Sequence, residues 1–281
     1  MRHAYRSDPV RTARRIARYD DYTSQSILAA GGEFVCAHGP DCLSAARAND
    51  ADCAFYEGQL GYIGDNYDLT IDGHPWRMAV VGMELGGKPP LQAHVRRAER
   101  TAHHNLVIDP ASPTRNPHMR GTRLALNYCF GLPLQAEEID LEGRPESVFT
   151  AYSLLNARLC SATTKPNSMD SAGVSTMTHN CFDHLSEILR ILQPTLVLIQ
   201  GVGVWRELAD QIMVDGERVG ENLVVSPAFG DPPTMIAHFT HPSARGAWGW
   251  SRADAPYFVE TVVPTLRAAV ERSWTASVRD D

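Results

Sequence analysis

The sequence predicts an α/β fold, a three-layer α/β/α sandwich built on a central, mostly parallel sheet. From Met78 onward, short apolar runs alternate with helical stretches, and such runs are typical of strands buried on both faces. The chain has 281 residues, 43% of them hydrophobic, which is enough to bury a large core. No internal repeat or low-complexity linker divides it. We therefore expect one domain over residues 36–281, preceded by an Arg-rich arm or helix over residues 1–35.

Apolar runs and helical spacing predict the individual elements. Five apolar runs predict strands over residues 78–81, 148–155, 195–199, 222–225 and 235–239. The clearest helix covers residues 178–192, where apolar side chains recur on one face and Pro194 ends the pattern. A C-terminal helix over residues 255–274 contains Pro264, which should kink or restart it because proline lacks the backbone N–H.

The charge and the hydrophobicity exclude two classes of protein. The net charge is −7 and the pI about 5.9, which argues against indiscriminate coating of nucleic acid but not against DNA binding. The longest apolar run is far too short to span a bilayer, so we expect no membrane partner. The first twenty residues carry six arginines and no apolar segment, which predicts a cytoplasmic protein without a secretory signal.

Cysteine usage points to a metal or to buried thiols. Cytoplasmic proteins rarely keep structural disulfides, and this chain has six cysteines. Cys129 lies in a short apolar stretch and is expected to be a small core residue. Cys36, Cys42 and Cys53 lie in residues 31–65, an irregular segment rich in Gly, Asp and Cys. A metal ion or an iron–sulfur cluster would order this segment.

Polar groups follow the predicted strands. Gly82-Met83-Glu84 follows the first strand, Asn156 the second, Gly201 the third and His241-Pro242-Ser243 the last. Open parallel sheets bind their ligands at the carboxyl ends of the strands. An acid, an amide and an imidazole at this edge therefore favour a functional site over packing. We expect the first and last of these strands to bring Glu84 and His241 next to each other across the mouth of a pocket.

Four motifs, in this order along the chain, resemble those of the uracil-DNA glycosylase superfamily, and in particular its iron–sulfur branch. Cys53-Ala-Phe-Tyr56 is similar to the second N-terminal cysteine of that branch. Residues 80–86 are similar to the first glycosylase motif, a strand that runs into a Gly-x-x-x-Gly turn. Asn156-Ala-Arg-Leu-Cys160 ends a strand, and Cys181 then opens a helix. Residues 241–245, His-Pro-Ser-Ala-Arg, are similar to the loop that enters DNA at the flipped base. The resemblance covers roughly residues 53–266.

The resemblance implies a 4Fe–4S cluster held by cysteine thiolates. Its ligands would be Cys42, Cys53, Cys160 and Cys181. The tight N-terminal Cys-x-x-Cys of the branch is absent, so Cys36 is the alternative to Cys42.

Two departures from the branch concern the base pocket. His118 takes the place of the aromatic residue that stacks on the base, and Glu84 stands where the branch usually has Ala. Cleavage of an N-glycosidic bond builds positive charge on the sugar and negative charge on the departing base. Glu84 would stabilise the sugar cation or activate water, and His241 would donate a hydrogen bond to the base oxygen.

The remaining candidates bind the substrate. Asn156 presents a donor and an acceptor and would read the edge of an extruded base, with Gly82 and Met83 in the same pocket. Ser243 would hold a phosphate, and Arg245 would enter the vacated base stack.

The predicted function is excision of uracil, or of a related modified base, from single- or double-stranded DNA by a monomeric glycosylase. One alternative keeps the fold but changes the substrate to another modified base. Another is a glycosylase-fold protein that recognises or covalently traps uracil or damaged DNA without efficient turnover. Gly201-Val202-Gly203 also follows a strand, but the third glycine of a dinucleotide-binding turn is missing.

Overall fold

A computed structural model describes residues 3–58, 60–84, 116–166, 168 and 170–277, with only the backbone of residues 275–277. This part of the chain is a mixed α/β structure. Its strands are β1 (Tyr5–Ser7), β2 (Ala54–Tyr56), β3 (Tyr62–Ile63), β4 (Leu69–Ile71), β5 (His74–Trp76), β6 (Met78–Gly82), β7 (Glu138–Leu141), β8 (Arg144–Ser147), β9 (Tyr152–Asn156), β10 (Ser161–Thr163), β11 (Leu196–Gln200), β12 (Glu217–Gly220), β13 (Leu223–Ser226) and β14 (Thr234–Phe239). Its helices are α1 (Pro9–Ser26), α2 (Gly39–Asn49), α3 (Pro117–Phe130), α4 (Ser175–Leu192), α5 (Val202–Ile212) and α6 (Val263–Ser277).

The main sheet has seven strands in the order β12-β13-β14-β11-β6-β9-β3. Its four central strands, β14, β11, β6 and β9, run parallel to one another. Both edges are antiparallel, with β3 on β9 and the β12–β13 hairpin on β14. The expected parallel arrangement is therefore confirmed for the centre of the sheet, whereas the sheet as a whole is mixed.

Apolar side chains cover both faces of the central strands. On β6, Met78 and Val80 join one buried cluster, and Ala79 and Val81 join another. The first cluster includes residues of α3 and α6, and the second includes residues of α1, α4 and α5. Because both faces are buried, β6 is apolar throughout and does not alternate with polar residues.

The N-terminal segment is held by other parts of the fold. β1 is the middle strand of a second sheet, with the order β5-β4-β1-β7-β8. The helix α1 packs against α4. On its inner face, the guanidinium of Arg15 lies 3.0 Å from the carboxylate of Asp68 and donates to the carbonyl of Ile191 at 2.7 Å. The segment 1–35, predicted as an arm or helix, thus contributes a strand and a helix with buried contacts.

Two predicted strands differ from the observed ones for physical reasons. The run 148–155 is a strand only over Tyr152–Asn156, because Ser147 caps a 3₁₀ turn at Val148–Thr150. The run 222–225 forms β13, which is antiparallel to both of its neighbours. Its connections are too short to contain the crossover of a dozen or more residues that a parallel pair needs.

The segment 31–65 contains a helix, α2, that the sequence analysis missed. Pro40 lies in its first turn, and Cys42 and Ala46, four positions apart, are buried. An alanine and a cysteine are too small to give this face a clear apolar pattern. The spacing of buried side chains is nevertheless that of a helix.

The two predicted helices of the C-terminal half are present with shifted bounds. The helix predicted over 178–192 is α4, which ends at Gln193 in a left-handed conformation (φ 47°) just before Pro194. The predicted C-terminal helix begins with a π-helical turn at Phe258–Val262 and continues as α6, with Pro264 at the junction. Proline cannot donate a backbone hydrogen bond, which accounts for a break at this point. Among the described helices, none is both long and apolar enough to cross a membrane.

Candidate functional site

The predicted strand-end groups lie along one edge of the main sheet. Asn156 ends β9, Gly82 ends β6, Gly201 follows β11 and His241 follows β14. Asn156 is the register partner of Gly82. These four strands are consecutive and parallel, so their carboxyl ends meet at the same edge.

The expected contact between the first and last strands is wrong. β11 lies between β6 and β14, so the chain segments carrying Glu84 and His241 are separated by one strand. Neighbouring strands are about 4.8 Å apart, which places roughly 10 Å between these two strand ends. The order of strands in a sheet is set by tertiary packing, and the order along the chain does not reveal it.

Hydrogen bonds beyond the strands hold Asn156 beside the Gly82-Met83 segment. The backbone N–H of Ala157 donates to the carbonyl of Gly82 at 2.8 Å, and that of Arg158 donates to the carbonyl of Met83 at 2.8 Å. Asn156 itself is buried. Leu85 and Gly86, the last two residues of the predicted first motif, lie outside the described residues.

The imidazole of His241 is held by its own loop. Its Nδ1 lies 2.6 Å from the hydroxyl of Ser243 and 3.2 Å from the backbone N–H of Ser243. A backbone N–H only donates, so Nδ1 accepts, and the ring proton of a neutral imidazole is then on Nε2. Loss of water around the ring lowers the pKa of His241, which favours this neutral form.

His118 stacks on His241. The two ring centroids are 5.1 Å apart and the ring planes are inclined by 25°. His118 lies in the first turn of α3, which Asn116 caps by accepting the N–H of Met119. The structure thus brings together two candidates that are separated by more than a hundred residues in the sequence.

A glycine allows α3 to approach the His-Pro-Ser loop. A Cβ atom on Gly121 would lie 2.5 Å from the Cβ of Pro242 and 3.2 Å from the ring of Trp250. No real side chain fits at such a distance, so Gly121 is required for the close packing that places His118 against His241.

Glu84 lies in a buried network of charges. Its carboxylate is 3.7 Å from the guanidinium of Arg158, and both side chains are almost fully buried, 6% and 4% exposed. Burial raises the pKa of Glu84, and a hydrogen bond from Ser171 and the charge of the nearby Arg158 oppose part of that rise. Arg158 also donates to both carboxylate oxygens of Glu207, at 2.8 and 2.9 Å, and to the hydroxyl of Thr178 at 2.7 Å.

An open pocket lies between α5 and the His-Pro-Ser loop. Its volume is about 540 Å³. It is lined by Gly201, Val202, Gly203, Thr240, His241, Ala244, Arg245 and Trp248. Arg245 and Ser243 are exposed on the same loop, at the edge of the sheet where the candidate groups converge.

None of the six cysteines forms a disulfide. As predicted, Cys129 is buried in the core, on α3. The thiols of Cys160 and Cys181 lie close enough to each other, and to those of Cys36 and Cys42, for the charges to act on one another. Burial and these charges together raise the pKa of Cys181 to about 12.

Cys53 has different electrostatic neighbours. It shares an apolar cluster with Cys42 and Cys160, but the charges that act on its thiol are those of Asp50 and Arg47. Of the five candidate ligands, the four that interact electrostatically are therefore Cys36, Cys42, Cys160 and Cys181. This set differs from the one expected from the sequence, because it contains both Cys36 and Cys42 and does not contain Cys53.

N–H groups surround the sulfur atoms of these four cysteines. The Sγ of Cys181 accepts the backbone N–H of Leu159 at 3.4 Å, and the Sγ of Cys42 accepts the amide of Asn180 at 3.5 Å. The backbone N–H of Gly58 donates to Cys160. The Nε2 of His184 lies 3.3 Å from the Sγ of Cys36.

Two residues of this region were not predicted from the sequence. Arg158 lies within the Asn156-to-Cys160 motif, and its position between two candidates was the only signal available. His184 lies three positions after Cys181 on α4, a spacing that puts both side chains on the same side of a helix. Its Nδ1 also lies 2.7 Å from the hydroxyl of Tyr22 on α1, which fixes the ring beside Cys36.

Comparison with known proteins adds no relative. No family model matches the chain, and no curated protein matches it.

Proposed function

We propose that the protein is a DNA glycosylase of the uracil-DNA glycosylase superfamily, that its fold is a three-layer α/β/α sandwich, and that it excises uracil or a related modified base. The observation that carries the proposal is the order of groups along the sheet edge. Asn156, Gly82, Gly201 and His241 end or follow four consecutive parallel strands. An amide that would read a base and an imidazole that would donate a hydrogen bond to it thus lie along one edge of the sheet, with two strands between them.

His241 would stabilise the departing base. When the glycosidic bond breaks, its electron pair goes to the base, and negative charge collects on a base oxygen. A neutral His241 with its proton on Nε2 donates a hydrogen bond to that oxygen without a prior change of charge. Such preorganised donors are worth several kcal/mol in a site from which water is excluded, about 2.7–4 kcal/mol for one donor. Ser243 keeps the ring in the required tautomer, and His118 sets the plane of the ring.

Asn156 would select the base, and the loop would hold the DNA. An amide offers one acceptor and two donors, which match the edge of a flipped pyrimidine. The proposed position of the base is between Asn156 and His118, over Gly82 and Met83. Ser243 would contact a backbone phosphate, which positions the strand without reading its sequence. Arg245, expected from the sequence to enter the vacated base stack, is proposed instead to contact a phosphate.

The predicted role of Glu84, stabilisation of the sugar cation or activation of water, is a hypothesis here. Its carboxylate points to Arg158 inside the protein, and this arrangement supports a structural role at the end of β6. A cation-stabilising role would act through the electric field and would not need contact with bulk water. The substitution Glu84→Gln separates the two, because a structural role changes the melting temperature and a catalytic role changes the excision rate.

We also propose that Cys36, Cys42, Cys160 and Cys181 hold a 4Fe–4S cluster. Among the described residues, no three His, Cys, Asp or Glu side chains converge on a point where one metal ion would bind. A 4Fe–4S cluster spreads its four thiolates over four irons and does not require such convergence. N–H donors directed at the sulfur atoms suit thiolate ligands, whose charge they compensate.

The cluster would act as a structural centre. When bound, it supplies four metal–thiolate bonds and converts binding energy into folding energy. Cys36 precedes α2, Cys42 lies in α2, Cys160 follows β9, and Cys181 lies in α4. The cysteines thereby join the segment 31–65 to the strand that carries Asn156.

A second function, covalent trapping of DNA, is favoured by the imidazole at position 118. Imidazole is a nucleophile, whereas the aromatic residue that it replaces is not. A nitrogen of His118 would form a bond to the sugar C1′ as the glycosidic bond breaks, and the base would leave with the electron pair. The imidazole proton would go to the departing base. We further propose that the protein is a cytoplasmic monomer.

The proposed function predicts excision from uracil-containing single-stranded DNA that depends on Asn156. Asn156→Ala leaves a buried base edge unpaired, which costs about 1–3 kcal/mol and lowers the single-turnover rate about 5- to 150-fold. Alkaline cleavage followed by a denaturing gel measures the excision. The matched control is Asn66→Ala, which removes an amide bonded to Thr150 at the other end of β9. A band of reduced mobility before alkali would indicate trapping, and an intact strand would contradict both functions.

If the proposed cluster is present, the protein is expected to be brown and to contain iron and sulfide after anaerobic purification. Cys36→Ser is expected to abolish the colour and the iron content, because it removes one of the four thiolates. Cys53→Ser is the matched control and is expected to retain both. A colourless wild-type protein that contains zinc or no metal would contradict the cluster. Loss of iron from Cys53→Ser but not from Cys36→Ser would restore the ligand set expected from the sequence.

A further inference from the structure

Trp248 is a large apolar side chain that the fold leaves in solvent. It is 62% exposed, whereas Trp250, two residues later, is 0% exposed. Trp250 donates from its indole N–H to the carbonyl of Thr240 at 2.7 Å and packs edge-on against Phe239. Trp250 therefore anchors the loop. Trp248 is not part of the core, and exposure of most of an indole is unfavourable unless a partner covers it.

The exposed indole is nevertheless held in place. The hydroxyl of Thr240 donates to the carbonyl of Trp248 at 2.7 Å. The ring of Tyr257 meets the indole edge-on, with centroids 5.9 Å apart and planes at 63°. The hydroxyl of Tyr257 in turn accepts the N–H of Thr240 at 3.3 Å. A ring braced in this way loses little conformational freedom when a ligand stacks on it.

The pocket next to Trp248 suits a flat aromatic ring. Gly201 and Gly203 have no side chains, and Val202 and Ala244 supply small apolar ones. The pocket of about 540 Å³ leaves ample room for a nucleobase. His241 and Arg245 also line the pocket, so it adjoins the proposed reaction centre and includes a cationic group.

An aromatic platform beside a guanidinium is the combination that single-stranded nucleic acid requires. Bases stack on the aromatic ring, and the cation attracts the backbone phosphate. A base within a duplex has both faces covered by its neighbours. A base that stacks on Trp248 must leave that arrangement, which is easy in a single strand and costly in a duplex.

We propose that this pocket binds the nucleobase of a nucleotide adjacent to the extruded base, stacked on Trp248, and that the protein consequently prefers single-stranded DNA. The inference rests on the proposed function, because the adjacent nucleotide is defined by the base at His241. Asn156, Gly82 and Met83 are not among the residues that line this pocket. Stacking accepts any base, so Trp248 contributes affinity and strand preference without sequence specificity.

The test measures binding of a short single strand with a central uracil, using fluorescence anisotropy and the His241→Ala protein so that the DNA stays intact. Adding Trp248→Ala is expected to raise Kd about 5- to 150-fold, as for the loss of one stacked base. Trp248→Phe retains a ring and is expected to change Kd much less. Val214→Ala, at an exposed valine after α5, is the control for loss of exposed apolar surface.

A second oligonucleotide, abasic on both sides of the uracil, completes the comparison. This abasic strand should bind more weakly than the first strand to the protein that retains Trp248. The Trp248→Ala protein should bind both strands equally. On a uracil-containing duplex, Trp248→Ala should have a smaller effect than on the single strand. Uracil excision by the wild-type protein together with unchanged binding by Trp248→Ala would overturn the inference and leave the proposed function intact. Absence of both excision and DNA binding in the wild type would overturn both.

Discussion

Replacement of His241 by alanine is expected to lower the single-turnover rate of base excision about 10²- to 10³-fold, the effect of losing one preorganised donor to a developing oxyanion. The fold should be little affected, because the residue lies in a loop and its hydrogen bonds are to Ser243 in the same loop. Binding of uracil-containing DNA should also change little, since phosphate contacts supply most of the affinity. The measurement is the single-turnover rate together with the melting temperature of the same sample.

The matched control is His179→Ala, which removes an exposed imidazole whose partner is the side chain of Gln211. The pH dependence gives a second readout. The pKa of His241 is lowered, so the ring stays neutral at neutral pH and gains a proton only as the pH falls through that lowered value. Protonation turns Nδ1 into a donor that opposes the N–H of Ser243, and the wild-type rate is expected to fall with it. An equal rate in His241→Ala and wild type would remove His241 from the mechanism.

The central strands could be predicted from the sequence because burial on both faces produces a continuous run of apolar residues. Met78 to Val81 are apolar without alternation, and only a strand covered on both sides requires that pattern. The antiparallel direction of the edge strands has no comparable sequence pattern. Residues 223–225 are equally apolar, and their direction follows from the short connections to β12 and β14. The helix α2 was missed because its buried face consists of small residues.

The candidate site could be predicted to the extent that it depends on strand ends. Asn156 and Gly82 meet because parallel strands end at one edge. The strand order could not be predicted, and for this reason the expected contact of Glu84 with His241 is wrong. Contacts between distant segments were also beyond prediction. Arg158 and Glu207 are 49 positions apart, and an arginine in a sequence gives no sign of its burial.

Replacement of Arg158 by methionine is expected to lower the free energy of unfolding by about 3–5 kcal/mol, the cost of removing one partner from a buried ion pair. Methionine retains much of the apolar volume, so the effect reports the lost charge and hydrogen bonds. Thr178 loses its donor, and Glu84 and Glu207 are left without their common cation. Chemical denaturation of both proteins, followed by circular dichroism, measures the difference. The control is Arg190→Met, which breaks an exposed pair with Glu187 and should change stability by less than about 0.5 kcal/mol.

The sign of the pH dependence distinguishes lost charge from lost packing. Burial already raises the pKa of Glu84, and removal of Arg158 takes away a charge that opposes this rise. A carboxyl group with a higher pKa in the folded than in the unfolded state favours folding when it is protonated. The destabilisation by Arg158→Met should therefore be largest at mildly alkaline pH and shrink as the pH falls through the raised pKa. Adding Glu84→Gln should restore part of the stability and flatten this dependence. A loss that is constant with pH would mean that the charge of Arg158 does not act on Glu84, and that the lost stability is that of the hydrogen bonds from Arg158 to Thr178 and Glu207.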